Sequence, residues 1–160
     1  MKSQTLFFLV LLIFLSASAK SQPWQGTYGS GVSVEVEPVQ RLQIYPKSDS
    51  TLLFSLDLNR GAPSYNMGQL MGEIKLINDS LGVYYYRDAD AFYDCRLEFV
   101  FLGNMIEVRE FTEAEDCGFG YGVYATGRYG EMSIEKPRAF IRADGSEIPF
   151  AGFRESDWWE

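Results

Sequence analysis

Two cysteines and two runs of carboxylates are the residues of this 160-residue chain best suited to chemistry, and the lack of any histidine limits what they can do. Without imidazole, Ser-His-Asp and Cys-His nucleophile systems are excluded, and so is the commonest metal ligand and general base near neutral pH. Two thiols alone make a poor structural zinc site. In an oxidising compartment Cys95 and Cys117 read as a disulfide rather than as free or reactive thiols. Closing a loop of that length should stabilise the fold by roughly 3 kcal/mol in the chain-entropy treatment.

The carboxylates precede the cysteines: Asp88, Asp90 and Asp94 before Cys95, and Glu113, Glu115 and Asp116 before Cys117. Calcium takes six to eight oxygens, and the aspartate run has neither the glycine turn nor the later bidentate glutamate of a calcium loop. A glycoside hydrolase needs one acid of raised pKa at a set separation from a second carboxylate across a cleft, and a strand-and-turn pattern supplies neither. These residues are therefore expected to form solvated acidic loops that the disulfide holds together, a candidate partner-binding surface with no catalytic residue, metal or cofactor. The run Gly118-Phe119-Gly120-Tyr121-Gly122 lacks the spacing and the following helix of a nucleotide-binding loop. It suits a strand that curves sharply or passes close to another backbone.

Before the domain stands a charged start at Lys2, an apolar run from Leu6 to Leu15 and the small residues Ser16-Ala17-Ser18-Ala19, the three regions of a secretory signal. Residues 1–19 are expected to be removed, since the apolar run falls short of the about 20 residues that span a bilayer. The expected location is secreted or periplasmic. Losing Lys2 and no acid moves the formal net charge from −8 to −9. That charge argues against nucleic acid and anionic membrane as partners and favours a basic one. Asn78-Asp79-Ser80 matches a glycosylation acceptor, but reads first as a turn.

The elements that would position these residues are strands. Ten tyrosines, twelve phenylalanines and fifteen glycines point to strands and turns. Val32, Val34 and Val36 alternate with Ser33, Glu35 and Glu37, which predicts a half-buried strand after a turn at Gly29-Ser30-Gly31. Leu42 and Ile44 mark the next strand. Leu52, Phe54, Leu56 and Leu58 share an inward face, with Leu53 an exception on the outer one. Residues 68–77 and 81–86 predict a hairpin. A two-residue turn at Gly103-Asn104 sets Phe101 opposite Ile106, Phe99 opposite Val108 and Glu98 opposite Arg109. Gly127-Arg128-Tyr129 echoes Gly26-Thr27-Tyr28, which suggests that first and last strands meet and close a barrel. A small hairpin around Ala143-Asp144-Gly145-Ser146 would lie outside the barrel, and the pair Trp158-Trp159 is expected to pack back on the domain rather than cap the barrel or contact a partner.

With Cys95-x-Leu97-x-Phe99-x-Phe101, Ile106-x-Val108 and Cys117-Gly118-Phe119-Gly120-x-x-Val123-x-Ala125-x-Gly127-x-Tyr129, the chain resembles small exported bacterial β-barrel proteins of calycin or lipocalin-like build. The resemblance covers about a quarter of the part after the signal. It implies a disulfide-stapled antiparallel barrel of roughly eight strands over residues 20–130, with residues 131–160 as an extension packed on it. Some proteins of that size and build inhibit lysozyme, although no segment here maps onto an inhibitor's blocking loop. The expected function is a non-catalytic binding protein, with a basic protein such as lysozyme as its partner. Two alternatives are a carrier whose row Leu52, Phe54, Leu56, Phe99 and Phe101 lines a cavity for a small apolar ligand, and a carboxylate glycoside hydrolase.

Overall fold

The computed structural model describes residues 24–87, 89, 94–111 and 114–159, and leaves undescribed the side chains of Ala114, Glu115 and Trp159. The expected signal lies outside the described residues. Eight antiparallel strands follow one another round a closed barrel: β1 (Gly26–Ser30), β2 (Val39–Ser48), β3 (Thr51–Asn59), β4 (Met67–Asn78), β5 (Leu81–Arg87), β6 (Asp94–Phe101), β7 (Met105–Glu110) and β8 (Gly127–Ser133). Two short strands, β9 (Ala139–Ile141) and β10 (Glu147–Pro149), pair as a hairpin outside it, and a single turn α1 (Ser156–Trp159) follows. Among the described residues no helix is long and apolar enough to cross a membrane.

Alternation along the strands builds the interior. Leu42, Ile44, Leu52, Phe54, Leu56, Leu97 and Phe99 are all inaccessible to solvent, and each such side chain contributes about 1.5–3 kcal/mol on leaving water. Phe54 packs at 5.0 Å between ring centroids against both Tyr84 and Phe99, so the centre is filled. The expected register of β6 and β7 is the one found: Phe101 faces Ile106, Phe99 faces Val108, and Arg109 Nη1 lies 2.9 Å from Glu98 Oε1. Closure is as the glycine-tyrosine echo suggested, with Tyr28 of β1 opposite Glu131 and Gly29 opposite Gly130. Between β4 and β5 the pairing is short, from Lys75↔Val83 to Asn78↔Leu81. Beyond it the Tyr84 ring lies over Gly72, where any Cβ would collide with it.

Three expectations are corrected. Residues 31–38 form no strand: the chain stays in β1 through Ser30, then bends, with the amides of Val36 and Glu37 both donating to Ser33 O. Val32 and Val36 are 89% and 76% exposed. Gly31 explains the bend, because its φ of +79° is left-handed and a Cβ there would meet Pro38 O. Leu53 does point outward, but it is only 1% exposed, because Phe140, Phe150 and Phe153 of the C-terminal segment cover it together with Met71. Residues 118–122 are not strand either; they cross the barrel end as a loop, although the close backbone approach expected of them is present.

Candidate functional site

Strand direction sorts the connections by length. Those after β2, β4 and β6 are tight turns at one end, whereas the described residues 31–38, 60–66, 111 and 114–126 gather at the other. Long loops on a rigid barrel are where binding residues concentrate.

The underside of this loop end is core. Phe119, Val123 and Ala125 join the interior cluster, and the Tyr129 hydroxyl donates to Ala125 O at 2.7 Å. Burial, and then the neighbouring Glu110 carboxylate, push the Tyr129 hydroxyl far above the ordinary tyrosine range, so it remains a neutral donor. Glu110 Oε2 in turn accepts from the Ala125 amide at 3.0 Å.

The loops are also bonded to one another. Ala62 N–H donates to Val34 O at 2.8 Å, and Gly120 N–H donates to Met67 O at 3.0 Å. Asn66 Nδ2 reaches Tyr121 O at 2.7 Å, and Gln40 Nε2 reaches Tyr124 O at 2.9 Å. The Arg60 guanidinium lies 6.0 Å from the centre of the Tyr121 ring. Three loops therefore make one tethered platform.

That platform turns apolar and aromatic groups to solvent: Val32, Val36, Tyr65, Tyr121 (77% exposed) and Tyr124. Tyrosines on adjacent loops supply large contact area at low entropic cost, as in antibody combining sites, and grouped apolar exposure of this kind marks interaction surfaces. Tyr65 carries a further sign. Its φ is +52°, a left-handed conformation that costs a residue with a Cβ about 1–2 kcal/mol, and the bond from its amide to Gly61 O at 2.9 Å holds it there. Strain of that kind is characteristic of functional positions.

Of the acids expected to form the site, Asp88, Asp90 and Glu113 lie outside the described residues, and so does the side chain of Glu115, whose backbone belongs to a 3-10 turn (Ala114–Cys117). Asp94 opens β6, with its carboxylate 4.0 Å from Arg87 Nε. Asp116 is half-buried beside Cys117. The disulfide is formed, with its α-carbons 4.5 Å apart, so Asp94 and Asp116 each stand next to one end of the staple. Glu35 and Glu37 add acids to the aromatic side of the same end; Glu37 Oε1 accepts from the Val32 amide at 3.0 Å.

Sequence reasoning placed the acids at the staple and missed the aromatic platform. The available signal was tyrosine set among glycine and proline, in Gly61-Ala62-Pro63-Ser64-Tyr65 and Gly120-Tyr121-Gly122, where turn chemistry leaves a ring no strand face to occupy. No protein-family model, curated protein or solved structure matches this chain.

Proposed function

We propose that this protein is an exported, non-catalytic binding protein whose loop end engages a basic protein, with lysozyme the type of target and inhibition the consequence. The carrying observation is the platform itself: three mutually bonded loops hold Tyr65, Tyr121 and Tyr124 outward over a packed barrel end. The acids around it and the net charge of −8 favour a cationic partner and speed its approach. The disulfide fits a life outside the reducing cytosol. The interior weighs against a carrier, because Leu52, Phe54, Leu56, Phe99 and Phe101, which would line its cavity, are buried against one another.

The test is capture of hen-type lysozyme, as a basic probe, on the immobilised chain from Lys20 onward. Capture is expected at low salt and is expected to fade as salt rises. It should weaken when Glu113, Glu115 and Asp116 are neutralised together, and again with Tyr65→Asn. Asparagine tolerates the left-handed backbone, so that variant should be as stable as the parent or up to about 1 kcal/mol more so. Undiminished capture by both variants would overturn the reading.

A further inference from the structure

On the barrel's outer wall, just below the loop end, β2, β3 and β4 carry a polar floor partly roofed by β9, and between them lies a cleft of about 280 Å³. Register builds the floor. Arg41, Asp57 and Gln69 sit side by side on the three strands, and Gln43 and Ser55 form the next row. If β9 served only to shield this face from water, the floor beneath it would be apolar throughout, as it is where Met71, opposite Ser55, and the neighbouring Leu53 lie under Phe140 and Phe150. Here the residues are polar instead, and Ser55 is 1% exposed.

The hydrogen bonds hold these side chains in place without exhausting them. Gln69 Oε1 accepts from the Ala143 amide at 2.9 Å, while its Nε2 donates to Asp57 Oδ1 at 3.2 Å and to Ile141 O at 3.4 Å, which ties the roof to the floor. Ser55 Oγ donates to Gln43 Oε1 at 3.0 Å. Asp57 keeps its second oxygen free of hydrogen bonds among the described residues, and Ser55 Oγ keeps its lone pairs. Arg41 and Asp57 are directly opposite on adjacent strands, yet they form no ion pair within 4.0 Å, and the Arg41 guanidinium has no partner among the described residues. Opposite charges so placed ordinarily attract each other; here both line the cleft.

We infer that this cleft is a binding site for a single sugar ring. Arg142 also lines the cleft, but its guanidinium lies 4.9 Å from the Trp158 ring centre and its Nη2 donates to Trp158 O at 3.3 Å, so the balance is set by the other two charges: an anion would face Asp57 and a cation would face Arg41. A neutral polyhydroxylated ring satisfies both, because its hydroxyls can accept from Arg41 or Gln43 and donate to Asp57. The volume is below the roughly 300 Å³ at which pockets begin to take drug-sized ligands, which suits one pyranose and not an oligosaccharide. The site adjoins the loop platform, with which it shares Met67, but it uses none of the platform's tyrosines and does not depend on how that platform is used.

Amide chemical-shift mapping of the chain from Lys20 onward tests this, with methyl glycosides of glucose, galactose and N-acetylglucosamine as probes and zwitterionic glycine as the competing chemistry. At least one glycoside should move the amides of Ser55, Asp57, Gln69 and Ala143 saturably at millimolar concentration. Asp57→Asn and Arg41→Ala should each weaken that binding by about tenfold, the loss expected for one hydrogen bond to a charged group, while the spectrum of each variant reports that it has folded. Absence of shifts with every glycoside, shifts unchanged in both variants, or a response to glycine alone would each overturn the assignment.

Discussion

Glu155 is an acid set where its charge is poorly received. One carboxylate oxygen is buried without a hydrogen-bond partner among the described residues. Burial first, and then the nearby Glu73 carboxylate, raise its pKa above the ordinary glutamate range; the Tyr84 hydroxyl and the cations of Lys75 and Lys47 only partly offset this. The folded protein thus holds the Glu155 proton more tightly than the unfolded chain does. Its contribution to stability is complete below the unfolded pKa and is lost as pH rises through the raised folded value. Glu155→Gln should therefore remove this pH dependence and melt higher than the parent at neutral pH, with the two converging in mild acid. Parallel melting curves at every pH would show that Glu155 is solvated after all.

Among the elements, the β6–β7 hairpin with its staple was the most legible in the sequence. Gly103 has a φ of +72° and nothing near its α-carbon face, as a two-residue turn of that type needs, and one residue of slip would have turned Phe99 and Phe101 outward. The valines of residues 31–38 show the limit of the same reasoning. Alternation is necessary for a half-buried strand, but it does not supply a neighbour to pair with, and β1 already pairs directly with β2 from Gly26↔Ile44 to Ser30↔Gln40. The glycine-rich loop misleads in the opposite way: Phe119 lies against Gly68, within 2.7 Å of where a Cβ would stand, so the close approach is real while the strand is not. The disulfide joins the start of β6 to the foot of that loop across 22 residues. Replacing both cysteines by alanine should cost roughly 3 kcal/mol, measurable by denaturant titration. Because Phe119 and Val123 remain buried, the barrel should still fold; a loss below about 1 kcal/mol would mean that the packing of the loop, and not the staple, sets its position.

At the scale of the whole molecule the described residues form two cores, and only one could be read along the chain. The barrel interior announces itself through period-two strands. The second cluster joins Leu53 and Met71 on the outer wall to Phe140, Phe150 and Phe153 from more than sixty residues further on. A single outward leucine in β3 carries no local sign of what will cover it. Tyr45 stacks on Phe150 at 5.5 Å, Lys136 Nζ lies 4.1 Å from the Tyr45 ring centre, and Trp158 touches both cores. Since the smaller cluster holds the C-terminal hairpin while the strand ladder holds the barrel, the two should separate on weakening. Phe150→Ala removes a fully buried ring and about 3–5 kcal/mol from that cluster. Trypsin should then cut at Arg138 and Arg142 while the amides of Phe54 and Phe99 stay protected from hydrogen exchange. If those amides instead lose protection together with the hairpin, the outer cluster is part of a single cooperative unit, and the barrel depends on its C-terminal cover to remain closed.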